Sequence, residues 1–310
     1  MGEQSTGAVT RPGAVRVGTR GSPLALTQTR QAIAALAAAA GLPVDHFELV
    51  VIRTTGDAVT DRPLAELGGK GLFTKELDEA LVAGTIDLAV HSMKDVQTDL
   101  APGIAIAAIL PRVDPRDVLF GASSIAALPQ GATFGTTSPR RGAQVRFRRP
   151  DVTIVPLSGN VGTRLAKVDA GTVQATMLAL AGLKRLGIDT ARGAILDPAE
   201  VLPAAAQGAI GVTVRAGDAA TTALVAKLNH AESATRVACE RALLAVLDGT
   251  CRTPIAALAE FGPAGLHLRA AMLAPDGAWR HDAERRGAAA DAERMGRDAG
   301  AELRRNAPGG

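Results

Sequence analysis

The sequence predicts an α/β protein with two similar lobes and a smaller third domain. Short apolar runs alternate with longer helical stretches along most of the chain, which favours strands joined by helices in largely parallel sheets. Two distant segments also repeat one order of signals: a strand, Gly-Thr, a capping serine, a proline and a helix. The repeated residues are Gly18, Thr19, Ser22 and Pro23 in one segment and Gly135, Thr136, Ser138 and Pro139 in the other.

The first lobe begins with a strand at 14–17 and a helix at 23–40. Ser22 is a favourable N-cap, Pro23 suits the first helical position, and Gly41 is a typical helix stop. Apolar runs bounded by turn residues predict the remaining elements. These are a strand at 47–53, a glycine-rich loop at 54–71, a helix at 72–83 and strands at 86–90 and 103–110.

A linker at 111–117 leads into the second lobe, because its two prolines and alternating charges suit a stiff crossing. The later predicted elements are strands at 133–134, 152–157 and 173–180, a return crossing at 198–211 with a strand at 210–215, a helical stretch at 219–247 broken near His230, strands within 254–271 and a helix at 290–305. We therefore predict three domains: 14–110 with 206–217, 114–202, and 219–310.

The composition narrows the class of protein. Of 310 residues, 47% are hydrophobic and 21% charged, as in a globular chain. Aromatic side chains make up 2% and the net charge is only +3, so we expect no nucleic-acid partner. The first 13 residues lack the apolar core of a signal peptide, and the alanine-rich segment at 32–40 is too short to span a bilayer. We expect a cytoplasmic protein with no membrane partner.

Charged residues follow several of the predicted strands. Lys94 and Asp95 come directly after the apolar run at 86–90. Arginines occupy the same kind of position at Arg20, Arg140, Arg141, Arg164 and Arg185. Ligands of open α/β sheets bind beyond the carboxyl ends of strands, and helix N-termini favour anions. Guanidinium groups suit carboxylates or phosphates, so the pattern indicates a polyanion site between the lobes.

The two cysteines differ in their surroundings. Cys239 lies among apolar residues of a helical stretch, which favours a place in the core. Cys251 lies in a glycine-containing loop beside Arg252, and a neighbouring cation favours the reactive thiolate. The spacing patterns of metal sites are missing, so we expect no metal.

Seven motifs together resemble the porphobilinogen deaminase family, also called hydroxymethylbilane synthases. They run in order over nearly the whole chain and end at the Cys251 loop. They are GTRGSPLAL (18–26), GGKGLFTKEL (68–77), AVHSMKDV (89–96), GTTSPRR (135–141), GNVGTR (159–164), AGLKRLG (181–187) and the loop itself.

The resemblance implies a transferase that joins four porphobilinogen molecules head to tail, releases ammonia and hydrolyses off a linear tetrapyrrole. It also implies two lobes like those of periplasmic binding proteins, a third domain that carries the cofactor loop, and a monomer. The implied cofactor is a dipyrromethane attached to Cys251 through a thioether. Porphobilinogen and the growing polypyrrole chain are the implied partners.

The resemblance also implies the site residues. Asp95 matches the residue that stabilises positive charge and shuttles protons. The cofactor-binding positions are Ser22, Lys94, Asp95, Thr136, Ser138, Arg140, Arg141, Gln207 and Gly208, besides Cys251. The substrate-binding positions are Arg20, Gln28, Phe73, Arg164 and Arg185, with Phe73 either stacking on a pyrrole or belonging to the core.

The chain departs from the family pattern in four places. Ser158 replaces an arginine before Gly159, with Arg148 or Arg149 as a substitute cation. Gln97 replaces a proline and would loosen the loop after Asp95. Ala206 replaces a glycine before Gln207, and Thr250 and Arg252 differ beside Cys251. Three other interpretations stay open from the sequence: a non-catalytic anion-binding protein, an impaired relative lacking the Ser158 arginine, and a cysteine-dependent acyltransferase.

Overall fold

The computed structural model of the protein describes residues 13–58, 71–247 and 254–307. The strands in this part of the chain are β1 Val15–Arg20, β2 Phe47–Ile52, β3 Leu88–Ser92, β4 Ile104–Ile109, β5 Asp117–Phe120, β6 Thr133–Gly135, β7 Thr153–Val155, β8 Ala175–Ala179, β9 Ala194–Ile195, β10 Ile210–Arg215, β11 Ile255–Gly262, β12 Gly265–Leu273 and β13 Arg280–Gly287. The α-helices are α1 Pro23–Ala40, α2 Thr55–Ala58, α3 Lys75–Val82, α4 Pro139–Arg148, α5 Val161–Asp169, α6 Leu180–Arg185, α7 Ala219–Ala226, α8 Ala231–Val246 and α9 Ala292–Asn306.

Two five-stranded sheets share one plan. The first has the order β2-β1-β3-β10-β4 and the second the order β7-β6-β8-β5-β9. In both sheets the central parallel pair is followed by an antiparallel strand, β10 in the first and β5 in the second. Each of these antiparallel strands follows a crossing from the other sheet. The chain therefore passes between the sheets twice, at 110–116 and at 196–209.

The first sheet is covered by α1, whose buried face includes Ile33 and Leu36. These side chains pack with Val17, Leu88 and Val212 of three adjacent strands. The helix starts where Ser22 accepts a hydrogen bond from the amide of Ala25, and it ends where Gly41 takes a left-handed conformation with φ of 68°. Helix α1 therefore begins directly after β1, and its amino end lies at the carboxyl end of that strand.

The third sheet, β11-β12-β13, is antiparallel and is covered by α8 and α9. Its core contains Cys239, Leu243, Leu268 and Leu303. A Cβ atom at Gly296 of α9 would lie 2.1 Å from the carbonyl oxygen of Cys239, so glycine permits the close approach of the two helices. The predicted core position of Cys239 is confirmed, and burial raises the pKa of its thiol to about 12.

The predicted fold class is confirmed, and each sheet takes its strands from one of the three predicted ranges, although the domain limits stay a prediction. Helix α1 and strand β10 match their predicted bounds, and the break near His230 falls where its side chain caps α8. Three strands are absent from the sequence-based expectations, namely β5, β9 and β13. A helical turn, α2, also lies inside the segment that was expected to be a loop.

Candidate active site

Two strand ends and the N-terminus of one helix carry several of the predicted site residues. In the first sheet, Arg20 ends β1, and Lys94 and Asp95 form a 3₁₀ turn directly after β3. In the second, Ser138 caps α4 by accepting a hydrogen bond from the amide of Arg141. The Thr136 hydroxyl accepts a hydrogen bond of 3.0 Å from the amide of Ser138, which fixes the turn between β6 and α4.

A buried carboxylate organises the arginines at the start of α4. Asp117 has no solvent exposure, and its two oxygens lie 2.8 Å from Arg140 Nη2 and 2.8 Å from Arg141 Nη2. The side chain amide of Gln207 donates to the same carboxylate at 3.0 Å. Burial by itself raises the pKa of Asp117, but the two guanidinium groups outweigh it and hold that pKa far below its usual range.

The group of side chains around Asp117 has a net positive charge. Two arginines share one carboxylate, and Arg140 and Arg141 are 4% and 6% exposed. The Nε atoms of both, together with Gln207 Oε1, have no hydrogen-bond partner among the described residues. Two guanidinium groups on one carboxylate leave a net positive charge, which suits an anionic ligand.

Two further cations of the predicted site share this electrostatic field. Solvent reaches Lys94, yet enough protein surrounds it that desolvation lowers its pKa, with Arg141 and Arg140 adding to the decrease and Asp95 opposing it. Desolvation and the charge of Arg141 also lower the pKa of Arg164. We refer to Lys94, Arg140, Arg141 and Arg164, whose charges influence one another in this way, as the cationic cluster.

Asp95 lies at the edge of this cluster with 30% of its side chain exposed. Its nearest described cation is Arg20, with 4.0 Å between Asp95 Oδ2 and Arg20 Nη1. Arg20 is itself held by Asp57 through two hydrogen bonds of 2.5 Å and 3.1 Å. The carbon of its guanidinium lies 4.0 Å from the ring centroid of Phe73, which is partly exposed. Phe73 therefore supports Arg20 in this structure.

The remaining predicted residues have identifiable partners. The Gln28 amide is 2.9 Å from the hydroxyl of Ser92, at the end of β3. Arg185 donates to the carbonyl of Gly208 at 2.8 Å, and burial lowers its pKa to about 10. Gly208 has φ of 89°, and a Cβ there would lie 2.6 Å from the carbonyl oxygen of Val113. Gly208 therefore allows the two crossings between the sheets to touch.

The structure describes the surroundings of some of the positions that depart from the family pattern. Arg241 of α8 donates to the carbonyls of Val96, Gln97 and Thr98 at 2.9, 2.6 and 3.2 Å, so the loop is held without a proline at 97. Ala206 has φ of 59°, the one positive value for a non-glycine residue in the described ranges. Thr250 and Arg252 fall outside the described residues, as does Cys251.

The proposed substitutes for the arginine at position 158 are wrong. Arg149 pairs with Asp151 at 2.7 Å and Arg148 donates to the carbonyl of Ala199, both at the far end of α4 from Arg140. The cation that reaches Ser158 is instead Lys167, whose Nζ lies 3.3 Å from its carbonyl oxygen. Sequence reasoning missed Lys167 because it follows Arg164 by one helical turn and no strand end marks it.

Asp57, Asp117 and Arg241 were also missed from the sequence. The two carboxylates are counter-ions of the arginines, and a counter-ion far away in the chain leaves no local pattern. Asp117 had one weak signal, since it ends the charged linker. Among the described residues, no group of three or more His, Cys, Asp or Glu could hold a metal ion.

Comparisons with known proteins decide the family. Residues 15–223 match the family model "Porphobilinogen deaminase, dipyromethane cofactor binding domain", and residues 234–305 match "Porphobilinogen deaminase, C-terminal domain". The chain belongs to the porphobilinogen deaminase family. Porphobilinogen deaminase of Paracoccus denitrificans (strain Pd 1222) is 54% identical over 297 residues, which cover 95% of both chains. That of Sphingopyxis alaskensis is 54% identical over 270 residues, or 85% of both chains.

Membership of this family makes the chain a transferase whose cofactor is a dipyrromethane. The comparisons do not support a non-catalytic anion-binding protein. A solved periplasmic domain of Bordetella pertussis BvgS is also similar, with a TM-score of 0.39, 14% identity and coverage of 69% of this chain and 86% of that one. The fold assignment rests on the sheets described above. Within the described residues, no helix has the length and apolar character needed to cross a membrane.

Proposed function

We propose that the chain condenses four porphobilinogen molecules head to tail, releases one ammonia per condensation, and hydrolyses the product to linear hydroxymethylbilane. The proposal includes the predicted attachment of the dipyrromethane to Cys251, and the predicted cytoplasmic location and monomeric state. One observation carries it: Arg140 and Arg141 share one buried carboxylate, their charges reach Lys94, and Lys94 is followed directly by the partly exposed Asp95. Such a site suits a ligand with many carboxylates.

The cationic cluster fits the acid side chains of pyrrole units. Each unit carries one acetate and one propionate, so a chain of several units is a polyanion. Arg140 and Arg141 are held in place by Asp117, so little side-chain ordering is needed when an anion binds near them. Ser138, Thr136 and Gln207 stand beside them. Dipyrromethane, when bound at these residues, supplies the free pyrrole carbon to which the first substrate is joined.

Asp95 is the group placed to move protons. In each condensation the aminomethyl C–N bond breaks, a C–C bond forms, and one proton passes in net terms from the pyrrole carbon to the departing amine. A carboxylate can stabilise the positive charge on the substrate and carry that proton. Asp95 suits this work because its side chain is partly open to solvent and its nearest cation is 4.0 Å away rather than in a tight pair.

The intact mass of the purified protein tests the overall reaction. We expect the parent protein to carry a covalent adduct of two pyrrole units, and the Cys251→Ser variant to have the mass of the chain alone. After porphobilinogen is supplied, the parent should show a series of masses that increase by one pyrrole unit at a time. A protein that keeps the bare mass with and without porphobilinogen, and consumes none, would falsify the proposal.

Asp95→Asn tests the assignment of the proton carrier. The substitution keeps shape and removes the ionisable group, so we expect an intact fold and a loss of turnover of about 100-fold or more. Asp169→Asn is the matched control, because Asp169 is half exposed and pairs with Arg192 on the surface. Parent-like turnover in Asp95→Asn removes Asp95 from this role and leaves the cationic cluster untouched.

A further inference from the structure

Helix α8 holds the loop that follows Asp95. Arg241 donates to three successive backbone carbonyls, those of Val96, Gln97 and Thr98. One guanidinium therefore engages every peptide carbonyl of residues 96–98. The guanidinium fork can satisfy several acceptors in a fixed arrangement, which a flexible ammonium cannot do as well.

The same helix contacts the other side of the turn through apolar packing. Val237, one helical turn before Arg241, belongs to a buried cluster with Met93 and Val96. Asp95 lies between those two residues. The turn is thus fixed by Met93 and Val96 in the cluster and by Arg241 on the following carbonyls.

The Asp95 side chain has little to fix it except its own backbone. Its closest described charged partner is Arg20 at 4.0 Å, which is the outer limit of an ion pair. Its position therefore follows that of residues 93–98. Desolvation lowers the pKa of Arg241, with Asp99 acting in the opposite sense, which agrees with a guanidinium largely removed from water.

We propose that Arg241 is a positioning residue for Asp95, and that it couples helix α8 to the turn that carries the reacting carboxylate. In sequence, α8 ends at Val246, five residues before Cys251. One helix thereby connects the predicted cofactor attachment with the predicted proton carrier. This inference rests on the proposed role of Asp95.

Arg241→Gln and Arg241→Lys test the proposal in the full-length protein. Arg236→Gln is the matched control, because Arg236 lies on the same helix but pairs with Glu232, and in the described part of the chain it makes no hydrogen bond to the loop. Hydrogen exchange of the amides at 93–100 gives a readout that does not depend on catalysis. Intact mass, kcat and KM for porphobilinogen are measured on the same samples.

In Arg241→Gln we expect exchange at 93–100 to be about tenfold faster or more while the rest of α8 keeps its protection. We expect kcat to fall about 10- to 100-fold with KM within about threefold, because displacement of a catalytic group by about 1 Å has effects of this size. Arg241→Lys should lie between the parent and Arg241→Gln in both exchange and kcat. If Arg241→Gln does not fold, Arg241→Lys is compared with the parent in its place. Arg236→Gln should match the parent.

Unchanged exchange at 93–100 overturns the proposal whatever the activity. Faster exchange with an unchanged kcat overturns it as well, since the loop would then move without consequence. A parent protein that does not consume porphobilinogen contradicts the proposed function instead. The proposed role of Asp95 and the inference about Arg241 are then contradicted as well.

Discussion

Arg112 and Glu240 form an ion pair that is closed to solvent, with 2.6 Å between Arg112 Nη1 and Glu240 Oε1. Arg112 belongs to the first crossing and also donates to the carbonyl of Gln207 in the second crossing. Glu240 accepts hydrogen bonds from the amides of Ala206 and Ala259. Both crossings and the third sheet therefore meet at one carboxylate.

Removal of the Arg112 side chain should destabilise the whole protein. Arg112→Met leaves Glu240 buried without its cation, and we expect the free energy of unfolding to fall by about 3–5 kcal/mol. The exposed pair of Arg192 and Asp169 provides the control, since Arg192→Met should change stability by less than about 1 kcal/mol. Urea unfolding followed by circular dichroism measures both. Equal losses of stability in the two variants would contradict the expectation that the buried pair matters more than the exposed pair.

Ala206 should tolerate glycine better than its neighbour does. The left-handed conformation of Ala206 costs roughly 1–2 kcal/mol for a residue with a Cβ, and glycine removes that term. The loss of a buried methyl group, about 0.8 kcal/mol, and the added freedom of the unfolded chain offset much of the gain.

We therefore expect Ala206→Gly to stay within about 0.5 kcal/mol of the parent or to exceed it. Ala205 is as buried but has negative φ, so Ala205→Gly should lose about 1 kcal/mol or more. Thermal and urea unfolding of the two variants make the comparison. A larger loss at 206 than at 205 would show that the backbone strain is unimportant.

His91 should make stability depend on pH between about 4 and 6.5. Burial, with a smaller effect of the Arg20 charge, lowers its pKa from 6.5 to about 4 in the folded protein. The unfolded chain binds more protons in that window, so stability falls as the pH decreases through it, by at most about 3 kcal/mol. Replacement with glutamine, which can still bond to Thr213, should flatten this part of the curve.

The measurement is the urea midpoint of the parent and His91→Gln at pH 7, 5.5 and 4.5. His46→Gln, at a partly exposed position, serves as the control. Asp78 acts in the opposite sense, because burial raises its pKa to about 6 and it favours the folded state as the pH falls. The difference between parent and variant removes that contribution. Parallel curves for parent and His91→Gln would exclude His91 as a source of the pH dependence.

Ser158→Arg should strengthen substrate binding and lower the free energy of unfolding of the protein without substrate. A new guanidinium beside Arg164 adds a charge-assisted contact for a carboxylate, so kcat/KM should increase about tenfold at low salt. The same charge adds repulsion to a cluster that is already positive, so unfolding should become easier by up to about 1 kcal/mol. Ser158→Gln controls for side chain size. An unchanged kcat/KM in Ser158→Arg would place residue 158 outside the binding surface.

The sequence predicts the parts of this protein whose signals are local. Ser22 and Ser138 each precede a proline, and both cap a helix as their spacing indicates. By contrast, β13 is RHDAERRG, and its pairing with β12 rather than any apolar run makes it a strand. Asp57, Asp117 and Arg241 act on residues that are distant in the chain, so only the folded arrangement reveals them. Ala206 lies within the second crossing, and no local signal in the sequence marks its left-handed conformation.

The position of β10 has a consequence for how the protein is made. This strand lies inside the first sheet, between β3 and β4, although the whole second sheet is synthesised before it. The second sheet is complete in sequence at Ile195, whereas the first stays open until Arg215 has left the ribosome. The inner edges of β3 and β4 are unpaired over that interval, and unpaired edges promote association with other chains. The first sheet, although it begins nearer the amino terminus, can be completed only after the residues of the second sheet have been synthesised.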